Sequence, residues 1–448
     1  MKRRCLVVVV GLWAALNLTA CGGSKRTTGP SGLPNRVLVS QGVSSTNDFG
    51  RLVIVDGFND TLTGATPLSA GTSPGLMAIS PSRNIVMAFD PVTNTVYAVN
   101  TTKERSIGSV QLPGPTFSMS VPTSSTVGYA AVPTATAPGY NFIGAVEVLN
   151  LSGSITTTIA VTNAETVVAN ANGSQLLVFS NDSDAVTVLT PGDALPGIDL
   201  SCDPPQNPAV CTTIPGFNRP VYAVINGTTA YVLNCGFECG GSQQASVQTL
   251  DLNSLAVGKP VLVNGATDAF LSGNKLYVAG LGTPTGPRCA SLTSSVNAKT
   301  AATYCGTLDI VDLTAMTDPY YNSPSTEIAI PDGYHDRMDM SINGQLFVGS
   351  YDCTDIGDVN NPSGEVRGCL AILNTNTGAV VIPPDNGNVD GLQSFTSREI
   401  EYVAEGGSLR VYDTTKDILY IDYYNDYLPT GTIDVIGYVG DVKAIDFF

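Results

Sequence analysis

The sequence predicts an all-β chain, one small antiparallel unit repeated around a closed ring, and three observations lead to that fold class. Short runs of β-branched, aliphatic and aromatic residues recur roughly every 40–60 residues. Each recurrence holds four such runs, separated by the Gly, Pro, Asn, Asp and Ser that form tight turns. The first set lacks its opening run, and the last residues of the chain, VKAIDFF (442–448), supply the match.

The opening runs of the later sets are LMAISP (76–81), FSMSVP (117–122), TVVANANG (166–173), VYAVING (221–227), AFLSGN (269–274), MDMSING (338–344) and LQSFTS (392–397). Second runs begin with RVLVSQ (36–41) and IVMAFD (85–90) and end with IEYVAE (400–405). Third runs begin with GRLVIVD (50–56) and TVYAVN (95–100) and end with SLRVYD (408–413). Weaker fourth runs precede Gly or Pro turns, as in IGSVQLPG (107–114), TEIAIPDG (326–333) and TIDVIGYVG (432–440). Four short antiparallel strands at this period are the blades of a β-propeller. If the last strand completes the first blade, the ring closes by hydrogen bonds between the two ends of the chain and leaves no unpaired edge there. The count is eight blades over residues 36–448. Seven is the alternative, should 385–440 not form a full blade; a pair of β-sandwiches would leave the last run unexplained.

Ahead of the repeats stands MKRRCLVVVVGLWAALNLTAC. Lys2, Arg3 and Arg4 followed by a short apolar core read as a secretory signal, residues 1–20, too short to span a bilayer comfortably. Leu18-Thr19-Ala20-Cys21 resembles the lipobox of bacterial lipoproteins, which implies cleavage before Cys21 and lipid attachment to it. Gly22 in place of an aspartate implies the outer membrane rather than the inner one. Residues 21–35, rich in Gly, Ser, Thr and Pro, read as a flexible tether. The expected location is the cell envelope of a bacterium, with the membrane reached through the lipid alone.

Cysteine use agrees with export. Apart from Cys5 and Cys21, eight cysteines fall into close pairs: Cys202/Cys211, Cys235/Cys239, Cys289/Cys305 and Cys353/Cys369. An even number in local pairs in an oxidising compartment reads as four disulfides. No CxxC occurs and His335 is the only histidine, which argues against a Cys/His zinc site. The formal charge of −17 becomes −20 without the three signal cations. Such acidity argues against nucleic acid as a partner and against docking on anionic lipid by charge alone.

Residues 73–114, SPGLMAISPSRNIVMAFDPVTNTVYAVNTTKERSIGSVQLPG, resemble the YVTN-type β-propeller repeat, with its SP turn, aliphatic strand, NTV strand, polar turn and terminal Gly. The resemblance in pattern covers nearly all of 36–448. It implies a fold more than an activity, because this superfold serves enzymes, scaffolds and binding modules alike.

The loops joining second and third runs are long in sets 1, 3, 5, 6 and 7, and three of the cysteine pairs fall on them. Ordered long loops on one face point to a recognition surface. The loop 351–369 carries Asp355, Asp358, Asn360 and Glu365, which loosely echo a calcium loop; Glu365 is eleventh from Asp355 and the glycine is misplaced, so a stapled polar loop is the preferred reading and calcium the one cofactor considered. Glu165, Arg219, Asp268, Asp390 and Asp441 enter the opening runs and are expected around the channel mouth. His335, Asp336 and Arg337 join them as acid–base candidates, the one place with imidazole, carboxylate and guanidinium together. The alternative is that these groups pair with one another and solvate the mouth. Tyr420, Tyr423, Tyr424 and Tyr427, interleaved with Asp422 and Asp426, suit a sugar or protein surface, or cover a gap between blades.

The function expected is a lipid-anchored binding or scaffold module, monomeric, for an envelope protein or glycan, more a binder than an enzyme. The alternative is a lactonase-like hydrolase with its site at the channel, an activity found among related propellers. A quinoprotein dehydrogenase is excluded by its missing Trp motifs, since the single tryptophan is Trp13. No GxSxG elbow accompanies the lone histidine.

Overall fold

IVMAFD folds as the strand Ile85–Asp90, with every residue buried. Val86 and Ala88 pack toward one neighbouring blade, against Leu38, Leu52 and Ile54. Met87 and Phe89 pack toward the other, against Ala130, Val132 and Leu149. A strand covered on both faces carries a continuous apolar run rather than an alternating one, which is why the second runs stand out in the sequence. Asp90 then closes the DPVTN turn: its carboxylate accepts bonds from Val92 N and the Thr93 hydroxyl, and further bonds from Thr72 N and Oγ1 tie the incoming link to the blade.

The computed structural model describes residues 29–446 apart from 44–48, 123–125, 137–142, 194–199, 204, 282–289, 294–300, 305, 319, 325, 352, 354–368, 384–386, 396, 417 and 420–430. Eight antiparallel blades form a ring. Their innermost strands are Tyr438–Ala444 for blade 1, then Met77–Ile79, Ser118–Ser120, Ala164–Ala169, Pro220–Asn226, Asp268–Ser272, Tyr334–Met340 and Val389–Ser394 for blades 2 to 8. The closure is the expected one: Val37 pairs with Ala444 and Val39 with Val442, so the chain's last strand completes the blade that Arg36–Gly42 begins.

Two departures refine the sequence reading. Blade 8 is a full blade, but its edge is split: Ile418–Leu419 and Thr432–Ile433 both pair with Ser408–Asp413, while Tyr438–Gly440, expected in that edge, belongs to the closing strand. Blade 3 gains a fifth strand, Leu200–Ser201, parallel to its outer strand.

Each innermost strand runs from one face of the disc to the other. The first–second and third–fourth turns lie on one side, termed the turn face. The second–third loops and the links between blades lie on the other, the loop face. Disulfides Cys235–Cys239 and Cys353–Cys369 close loop-face insertions of blades 5 and 7. Cys202–Cys211 does something the spacing did not foretell: it joins the end of blade 3's added strand to the outer strand of blade 4, within the core those blades share. Cys289 and Cys305 lie outside the described residues, as do Cys21, Tyr420, Tyr423, Tyr424, Tyr427, Asp355, Asp358, Asn360 and Glu365.

Candidate functional site

Five blades share an irregularity that positions the channel mouth. Where the innermost strand starts, its pairing slips by one residue, leaving Glu165, Val221, Asp336, Asp390 and Gly440 as bulges. A bulge bends the strand and re-aims the side chain it leaves unpaired. Three of the five are acidic, so the ring turns carboxylates to its axis.

At the centre is Arg337. Its Nη1 donates to Asp336 Oδ2 and to the Asp336 carbonyl, both at 2.8 Å, and its Nε to the Asp390 carbonyl at 2.9 Å. Arg337 and Asp336 keep 30% and 25% of their side-chain surface exposed, so the pair faces an open channel rather than a sealed core. Nη2 makes no bond among the described residues. Burial works against the guanidinium's charge, but Asp336, Asp441, Asp268 and Asp390 outweigh it and hold its pKa up.

The carboxylates around it are not equivalent. Burial pushes Asp268 up to about 7, opposed by the Ala269 N–H and reinforced by Asp336. Burial also lifts Asp336 to about 6 against the pull of Arg337, and its Oδ1 accepts no hydrogen bond. Asp390 is raised by burial while accepting the Tyr438 hydroxyl at 2.7 Å. Asp441 is instead fully engaged: it accepts Met77 N, Val442 N and Lys443 Nζ, and so fastens the closing strand to blade 2. Tyr222 and Tyr334 complete the lining, their hydroxyls kept neutral by burial and by Asp268 close by. Tyr334 packs on Tyr351 with ring centroids 5.0 Å apart.

Other expected members stand differently. Glu165 reaches the same mouth and accepts Asn181 Nδ2 at 2.9 Å. Arg219 turns to the blade 4 hairpin, pairing with Asp182 at 3.3 Å. His335 is 1% exposed; the carbonyls of Gly280 and Pro331 face its ring, and burial lowers it to about 4. The imidazole is therefore neutral and sealed between blades 6 and 7, while its sequence neighbours open onto the channel. Among the described residues no three acidic, His or Cys side chains converge closely enough to hold a metal ion.

Sequence reasoning missed the tyrosines and a second tier below. Asp339 accepts Ser394 N and Met340 N, and beside it lies Glu401, fully buried and raised well above its ordinary value by burial and by Asp339. Tyr334 had a legible signal, since Gly-Tyr opens the innermost strand in both DGYHD and IGYVGD, whereas Tyr222, in PVYAV, had none. Away from the mouth, where the innermost strands of blades 2 to 4 end toward the turn face, an open pocket of about 290 Å³ is lined by Met77, Ile79, Met119 and Val121 with Ser120 and Asn170. Arg337 can thus hold an anionic or polar oxygen, with two flanking carboxyls that titrate near neutrality and can give or take a proton.

This architecture defines the chain as a β-propeller. No protein-family model matches it, and no curated protein does. Among solved structures it is similar to a dihydro-heme d1 dehydrogenase, NirN, solved in complex with DHE, at 12% identity and TM-score 0.55, over 92% of this chain and 75% of that one. It is also similar to a Kuenenia stuttgartiensis hydrazine synthase, at 15% identity and TM-score 0.50, over 79% of this chain and 99% of that one. A weaker likeness, TM-score 0.46 at 12% identity over 92% and 99%, is to the Pseudomonas aeruginosa periplasmic gluconolactonase PpgL. At these identities the likeness is one of fold.

Proposed function

We propose that this chain is an exported propeller of the YVTN type, anchored in the bacterial envelope through Cys21, that binds an envelope protein or glycan on its loop face. The observation carrying this reading is where the exposed apolar surface sits. Phe49, Val92, Phe117, Phe237 and Ile436 stand exposed on loops or links of that face and Ile143 at the start of a strand there, against Phe58, Tyr320 and Ile342 on the turn face. Large apolar side chains gathered on one rim around a polar mouth mark an interaction surface. Two disulfides hold loops of the same face, which supports both export and a preformed surface. Detergent extract of the native envelope, passed over the lipidated chain and over a Phe117→Ser/Phe237→Ser variant, tests it. A species retained by the first and lost from the second is expected; equal retention by both overturns the loop face as the binding surface.

A second reading, a lactonase-like hydrolase at the channel mouth, is favoured by Asp268 and Asp336 titrating near neutrality beside Arg337. Lactone turnover abolished by Arg337→Ala would support it. Turnover that survives both Arg337→Ala and Asp336→Asn would place any activity elsewhere. Calcium binding by the 353–369 loop remains a proposal, tested by titration calorimetry.

A further inference from the structure

The place where the chain enters the propeller sets how an anchored molecule must stand on its membrane. Residues 29–35 are docked. Ser31 donates through its N and Oγ to the Glu104 carboxylate at 2.7 and 2.6 Å, and Leu33 packs on the core shared by blades 1 and 2. Arg36, 3% exposed, then pairs with both Glu104 and Asp446 at 2.7 Å and donates to the Thr101 carbonyl. Glu104 and Thr101 belong to the third–fourth turn of blade 2, and Asp446 follows the end of the closing strand. Every one of these groups is on the turn face.

Few residues separate Cys21 from the docked segment. From Cys21 to Gly29 the chain reaches at most about 29 Å when fully extended. To bring the loop face to the bilayer it would have to climb the whole thickness of the disc and clear the loops. The strand Arg36–Gly42 beside the entry point spans about 20 Å and the blade 3 arm Val127–Thr136 about 30 Å. Only a tether pulled nearly straight, at a large cost in chain entropy, would therefore reach past the loops. The turn face also carries apolar groups suited to a headgroup layer: exposed Phe58, Tyr320 and Ile342 at turn and loop tips. Its lysines stand beside carboxylates, as Lys416 does with Asp413, so the aromatic rings, which settle at the membrane–water interface, are the groups that matter.

We propose that the turn face lies against the bilayer carrying the anchor, and that the loop face with the acidic, tyrosine-lined mouth points away from it. This rests on lipid attachment at Cys21. The aromatics assist a contact that the tether favours and that needs no attraction between charges. The loop face is then presented to partners in the envelope, and the turn face is withheld from them.

The test uses the full lipidated chain in phosphatidylethanolamine–phosphatidylglycerol vesicles containing a nitroxide headgroup lipid. A fluorophore is attached in separate preparations at Phe58→Cys and at Phe117→Cys, both at exposed positions where substitution spares the core. The expected result is severalfold stronger quenching at position 58 than at position 117. Equal quenching, or stronger quenching at 117, overturns the orientation. Mass measurement of the N-terminal peptide separates the two layers. Acyl mass present with no contrast sinks the orientation alone, whereas acyl mass absent sinks the anchor and the orientation with it.

Discussion

Asp268 shows how a single side chain records the channel's environment. Its folded pKa, about 7, lies above the value near 3.9 of an unfolded aspartate. The proton it holds therefore favours the fold fully below pH about 4, and that contribution is lost as pH rises through about 7. Asp268→Asn keeps the shape and abolishes the charge. Its thermal midpoint should match the natural chain near pH 4 and exceed it increasingly toward pH 8; an offset that does not vary with pH would show that the carboxyl is not desolvated. His335 works with the opposite sign. Held down at about 4, it favours the fold above the unfolded value near 6.5 and withdraws that support as pH falls through about 4. The sequence placed Asp336 and Arg337 at the mouth because they sit where a link enters an innermost strand. It could not separate them from His335, since the bulge at Asp336 is a property of pairing and leaves no mark in the local sequence.

At the scale of elements, the disulfides differ in what they close. Cys235–Cys239 spans 4 positions, Cys202–Cys211 spans 9 and Cys353–Cys369 spans 16. The loop-entropy account gives about 2, 2.5–3 and 3 kcal/mol respectively for their loss. Urea midpoints of the three double-serine variants should fall in that order. If the 235/239 variant proves the most damaged, native contacts of the loop and not chain entropy govern its stability. Strand existence was legible almost throughout, because second strands buried on both faces, such as Leu176–Ser180, carry continuous apolar runs. Edge strands were read less well. Leu200–Ser201 and Val380–Val381 are two-residue pairings held by one neighbour, and nothing local distinguishes them from the loops around them.

The whole molecule depends on its last strand. Tyr438–Ala444 pairs along Arg36–Gly42, contributes Val439, Val442 and Ala444 to the core between blades 8 and 1, and through Asp441 holds the backbone of blade 2. Deleting residues 438–448 removes the innermost strand of blade 1 and exposes the edge of Arg36–Gly42, a template for association. Sedimentation should show aggregation, with loss of near-ultraviolet ellipticity from the packed aromatics. A soluble, cooperative monomer would mean that seven closed blades suffice.

The repeat period, the order of strands within a blade and the displaced final run were all present in the sequence by itself, because burial on both faces and turn chemistry act over a few neighbouring residues. What only the tertiary structure decided is which polar groups meet. Arg337 stands among aspartates from blades 1, 6, 7 and 8, Cys202 crosses to the next blade, and the N-terminal strap finds Glu104 on the turn face. Those encounters depend on ring closure and on one-residue slips in pairing, which bring distant positions together through space.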